Sequence, residues 1–354
     1  MRRRKLVILI ALLVVAVAIG VAVYLRRRAA PEPVRLLPAN ADAVLYVDLQ
    51  TIRRAVTLFG KAPAVPHDPD YDNFIQQTGF EFERDLDQAA FAVHAPPLKP
   101  GGPPPGPEEV RSSEIFVGRF DSERLAGFLG RLATSTEKYH NVEIYVIPNQ
   151  GHLVRVAVLG LTMVAVSNTE DPGPIHEMVD RYVESALPSR GPLLVREHYR
   201  DVPLGSVVWG MARVPEENGG PGLTVPALLR TLAPGTTMVA SLRYTGSIQL
   251  RIEDFAKDAE QARKISENAG TMLSVFRGVE SSATLGGPDP DVKAFFDSMG
   301  VSQEGNRAIL KATFTQGFLE KALSEAPVNP APEPAPAPKE KPAPKHGGKA
   351  KAQH

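Results

Sequence analysis

Residues Thr236–Phe276 read TTMVASLRYTGSIQLRIEDFAKDAEQARKISENAGTMLSVF, and their patterning decides the fold class. Apolar and polar residues alternate through Thr236–Tyr244 and again through Ser247–Asp254, the period of half-buried strands. Thr245-Gly246 between them supplies a tight turn, so the two runs predict an antiparallel hairpin. From Lys257 the period changes. Ala259, Ala262, Ile265, Ala269, Met272, Leu273 and Phe276 recur at helical spacing and predict a long amphipathic helix. A hairpin followed by a helix with one apolar face predicts an α+β fold, with largely antiparallel sheets and helices packed on one face.

The pattern extends in both directions. Downstream, Asp291–Met299 reads as a helix, Asn306–Thr315 as a strand and Phe318–Leu323 as a closing helix. Upstream, strands are predicted over Ala43–Leu49, Ala89–Ala95, Glu114–Phe120, Val142–Ile147, Leu153–Leu159, Thr162–Ser167 and Ser206–Val214. Helices are predicted over 52–59 and Asn73–Gly79, after Asp121-Ser122, from Pro174 to Ala186, and over Pro226–Ala233. In the helix after Asp121, Leu125, Phe128, Leu129 and Leu132 fall on one face. Arg119-Phe120-Asp121 and Asp254-Phe255-Ala256 each close a strand on an aromatic residue before a capped helix. The coarse order of elements repeats, which predicts two related α+β modules, 36–190 and 203–326. Pro96–Pro107, with seven Pro and three Gly, reads as an exposed loop within the first.

The ends differ from the body. Residues 1–5 are basic, and Leu6–Leu25 (LVILIALLVVAVAIGVAVYL) is an uncharged apolar run. As a helix it spans about 30 Å, the thickness of a bilayer core. It predicts a single-pass transmembrane signal anchor, followed by a basic, Pro-containing spacer over 26–35. The charge balance across the run is nearly even and favours a cytoplasmic N-terminus. The expected location is therefore the inner (plasma) membrane, with the body extracytoplasmic. Residues 327–354 hold eight Pro and predict a disordered Pro/Ala/Lys-rich tail.

The 354 residues carry 40 Lys+Arg and 40 Asp+Glu, but unevenly. Residues 1–35 contain eight basic residues and one acid, and 327–354 contain five Lys and two Glu. The acidic body argues against nucleic acid as a partner. The basic ends predict contact with membrane lipid through residues 1–28, and an envelope protein or anionic wall polymer as a further partner. The absence of Cys excludes disulfides, thiolate metal sites and Cys nucleophiles.

At Leu36–Leu49, LLPANADAVLYVDL following a single apolar run resembles a loose group of bacterial single-anchor envelope proteins. These carry an "LPA(D/N)A" opening into a first strand and duplicated α+β modules. The resemblance implies topology and architecture and attaches no catalytic, cofactor or metal residue.

No motif supplies chemistry. Asp68-Pro69-Asp70-Tyr71-Asp72 opens like a calcium loop, but Asn73 and Gly79 stand where Gly and Glu belong, so it reads as a solvated acidic turn. His176-Glu177 begins like a zinc-protease helix, but Asp180 replaces the second His, which leaves an exposed helix face. Gly219–Gly222 is interrupted by Pro221 and reads as a plain loop, and Trp209 reads as core. No catalytic, cofactor or metal residue is assigned. The expected function is a non-catalytic binding or scaffold module held at the membrane surface. An envelope hydrolase with a spatially assembled site and a carrier of an apolar ligand are the rivals.

Overall fold

A computed structural model describes residues 29–59, 67–94, 110–149, 151–184, 191–215, 233–283 and 290–317. The apolar run Leu6–Leu25, the Pro96–Pro107 loop, Gly219–Gly222, nearly all of the Pro226–Ala233 helix, the Phe318–Leu323 helix and the 327–354 tail lie outside them. No helix of the described residues is long and apolar enough to cross a membrane.

Twelve strands form among the described residues, most of them from β-branched or alternating segments. They are β1 (Ala43–Asp48), β2 (Leu86–His94), β3 (Arg111–Gly118), β4 (Ser135–Tyr139), β5 (Val142–Asn149) and β6 (His152–Leu159). Then follow β7 (Met163–Ser167), β8 (Ser206–Arg213), β9 (Thr237–Tyr244), β10 (Ile248–Phe255), β11 (Gly300–Glu304) and β12 (Arg307–Phe314). The helices are α1 (Glu32–Leu36), α2 (Leu49–Phe59), α3 (Pro69–Thr78), α4 (Phe82–Asp85), α5 (Ser122–Leu132), α6 (Gly173–Val183), α7 (Leu193–His198), α8 (Ala259–Ala283) and α9 (Pro290–Ser298).

The fold is α+β with one large antiparallel sheet. The strands lie in the order β11-β12-β10-β9-β8-β1-β2-β3-β7-β6-β5-β4. β8-β9-β10 leads through helices to β11 and β12, and β12 returns beside β10. β1-β2-β3 leads through α5 to further strands, and β7 returns beside β3. The two runs meet where β1 pairs with β8 antiparallel, Leu45 opposite Gly210. A single sheet therefore passes through both halves.

Helices cover both faces, which corrects the expectation of one. On the α6 face, Val34 and Leu36 of α1, Ile175, Met178 and Val179 of α6, and Leu194 and Val195 of α7 bury Ile115, Ile144, Ala157, Ala165 and Trp209. On the α5 face, Leu125 and Leu129 bury Tyr145, Val156 and Val164. The reason lies in β5–β7. Ile144 and Tyr145, Val156 and Ala157, and Val164 and Ala165 are apolar at both parities, so both faces need cover. In the second half, Ala262 and Ile265 of α8 pack with Ala308 on the α5 face, and Phe295 of α9 stacks on Phe314 at 4.6 Å.

Two segments depart from the sequence reading. The spacer expected over 26–35 ends early, because α1 begins at Glu32 and buries Pro33 and Val34 in the core. The acidic Asp68–Asp72 turn is the start of α3: the Asp68 carboxylate accepts from the Tyr71 amide at 2.8 Å, with Pro69 in the first turn.

Candidate functional site

On the α5 face, register places one row of side chains across the middle of the sheet: Val166, Glu114, Phe91, Leu45, Gly210, Ala240, Ile252 and Leu310. All but Glu114 are apolar or glycine. Leu45, in a middle strand of this row, is 41% exposed. Phe91, Val47, Val208, Leu242 and Leu250 around it are half-buried. Gly210 supplies no side chain, and Leu45 Cδ1 lies 3.6 Å from where its Cβ would be. The centre of a broad sheet is ordinarily its driest part, so this exposed leucine and its half-buried neighbours are the candidate site on this face.

Two carboxyls sit in this apolar surface. Burial raises Glu114 above its ordinary range, partly offset by the Ser112 hydroxyl, which donates to it at 3.0 Å. Asp254, one row over and opposite Met238 and Ala308, is pushed up to about 7 by burial. Its Oδ1 is buried and finds no hydrogen-bond partner among the described residues. Burial therefore disfavours the charged form of both carboxyls in this surface.

On the α6 face, the β1–β8 pair carries an aromatic cluster. Trp209 packs on Tyr46 at 5.5 Å and on Tyr199 at 5.3 Å. Burial raises both phenols, so both stay protonated. Beside them is a cleft of about 190 Å³ lined by Tyr199, Arg200, Leu204, Ser206 and Trp209, among others. That is below the roughly 300–1,000 Å³ of ordinary small-molecule sites. Its one hydroxyl from β8 is tied down, since Ser206 Oγ donates to the Pro203 carbonyl at 2.7 Å.

The tertiary structure brings together some residues that the sequence left scattered. His94 Nδ1 lies 2.6 Å from the Asn40 carbonyl and Nε2 lies 3.0 Å from Ser113 Oγ. The carbonyl can only accept, so Nδ1 carries the proton and Ser113 donates to Nε2. This is the spacing of a nucleophile and its base, but Ser113 is 0% exposed. The pair joins β2 and β3 and offers no face to a substrate. His176 Nε2 is 2.7 Å from Glu137 of β4, and Asp180 accepts from the Tyr139 hydroxyl at 3.0 Å and faces His140 at 3.1 Å. The His176 helix face is thus a set of pins holding edge strand β4 to α6. Among the described residues, no group of three or more His, Asp or Glu is arranged to hold a metal. Trp209 is core, 2% exposed, as its strand position predicted. The exposed floor itself was missed. Its only signal in the sequence was apolar residues at both parities of neighbouring strands.

No protein-family model and no curated protein matches the chain. Among solved structures, crystal form III of TP0453 aligns over 83% of this chain and 98% of its own, at 13% identity and a TM-score of 0.45. Crystal form I of TP0453 aligns over 84% and 98%, at 13% identity and a TM-score of 0.44.

Proposed function

We propose that this chain is a single-pass, membrane-anchored, extracytoplasmic binding module that acts without catalysis. Leu6–Leu25 holds it at the inner membrane, with the N-terminus cytoplasmic. Two α+β modules of common origin form the body, a reading supported by the repeated strand order on either side of the β1–β8 pair. One observation carries the binding role: the half-exposed apolar floor around Leu45, Phe91 and Leu242 at the centre of a twelve-stranded sheet. Its partner presents apolar surface near the membrane, and tethering raises the local concentration of the module for it.

The test is site-specific photocrosslinking in cells. A photoreactive residue replaces Leu45, and separately Leu161, which is 75% exposed in the β6–β7 turn. A defined protein adduct at position 45 and none at 161 is the expected result. A lipid adduct at 45 would move the assignment to a carrier of an apolar ligand, which the same floor also fits. Adducts equal at both positions would remove the floor from the account.

A further inference from the structure

The α6 face changes character in the second half of the sheet. Across β9, β10 and β12 the residues of this face are Arg243 beside Gln249, Ser241 beside Arg251 and Lys311, and Thr237 beside Phe255 and Arg307. Arg243 and Arg251 are half-buried on this face. Arg251 and Arg307 share one buried carboxylate, Glu253, at 2.6 and 3.3 Å. Arg243 donates to a neutral partner, Gln249, at 2.6 Å. Lys311 is exposed and stands directly across from Arg251. Arg243, Arg251 and Lys311 therefore run diagonally over this face; Glu253 answers Arg251, while Arg243 and Lys311 meet no carboxylate among the described residues.

Their position matters as much as their sign. α1 lies on this same face, packed on β2 and β3. Only residues 26–31 separate Leu25 from Glu32, a reach of at most about 25 Å. Arg251 on β10 is four strand spacings from β2, about 20 Å. A body tethered through so short a connection presents the face from which it is tethered to the bilayer.

We infer that the Arg243–Arg251–Lys311 face docks on the phosphates of an anionic membrane leaflet and sets the orientation of the body. This rests on the reading of Leu6–Leu25 as a membrane anchor. The opposite, apolar floor is then turned away from the membrane, toward a partner.

The chain has no cysteine, so a single labelling site can be introduced without background. The full-length protein carrying Thr313→Cys, on the docking face, is labelled with a fluorophore and reconstituted into vesicles that carry a headgroup quencher. The vesicles are phosphatidylcholine alone or phosphatidylcholine with phosphatidylglycerol, and Leu161→Cys serves as the positional control. Strong quenching at 313 in anionic vesicles only, reversed by 1 M salt, is the expected result. Arg243→Gln with Lys311→Gln, which leaves the Arg251–Glu253 pair intact, should lower the docked-to-free ratio about 30-fold. If that variant misfolds, the salt titration of the otherwise unaltered protein decides. Equal quenching in neutral vesicles, or none at 313 in anionic vesicles while the protein still floats with them, overturns the docking and leaves the anchor standing. A protein that does not float with either vesicle overturns the anchor reading, and the docking with it.

Discussion

Asp254 is the residue at which burial and charge conflict most openly. It stands opposite Met238 and Ala308 in the sheet register, burial raises it from 3.8 to about 7, and its buried Oδ1 lacks a partner among the described residues. Between those values the folded chain keeps a proton that the unfolded chain has lost. The stability from this group is fully present below about pH 4 and is lost as pH rises through 7. Asp254→Asn removes the ionisable proton and keeps the shape. Urea titrations should find the variant more stable by about 1–3 kcal/mol above pH 7, with a flatter profile between pH 4 and 7. Gly118 is constrained by backbone packing. A Cβ there would lie 2.5 Å from the Asp85 carbonyl oxygen, beside the irregular register at Leu86 and Gln88. Gly118→Ala should therefore cost about 1–3 kcal/mol, read as a lower urea midpoint at unchanged slope.

At the scale of elements, the well-read segments are those whose local chemistry and tertiary role agree. α5 starts where Asp121 accepts from the Arg124 amide at 3.1 Å and buries the predicted Leu125 and Leu129. Asp121→Ala removes that cap and should destabilise by about 1 kcal/mol, a small fall in melting temperature with the far-UV spectrum unchanged. The sequence reading missed β4 and β11, which read STEKY and GVSQE and carry no apolar alternation. They are the two edges of the sheet, where polar and charged residues block further pairing. β4 is held instead by side chains, Glu137 to His176 and Tyr139 to Asp180. β4 and α6 lie about forty residues apart in the chain, so local patterning could not reveal these contacts. The short helices α1 and α7 were missed for a related reason: Val34 and Leu194 are buried only because the sheet lies beneath them.

For the whole molecule, the β1–β8 pair is the decisive join. β1 is bonded on one side to β2 and on the other to β8, so neither half has a free central edge. Core residues Tyr46 and Trp209 stack across the same join at 5.5 Å. Calorimetry of the full chain should therefore show the body unfolding in one transition, with Trp209 fluorescence changing at the same temperature as the far-UV signal. Two separated transitions would mean that the halves fold as independent modules and that the join contributes little.

The sequence by itself determined the antiparallel α+β class, the hairpin around Thr245-Gly246, a helix start at Asp121-Ser122 and the inward positions Leu125 and Leu129 of α5 and Ala262, Ile265 and Leu273 of α8, whereas Leu132 and Ala259, expected inward, are exposed. Period and turn chemistry are local, and they specify which residues share a face. Which strand lies beside which was decided only in the tertiary structure, since pairing of β1 with β8 depends on residues more than 150 positions apart. The same long-range pairing set the helices on both faces, brought His94 to Ser113, buried Asp254 and left Leu45 exposed. Burial is a property of neighbours across the sheet, and alternation along one strand says nothing of them.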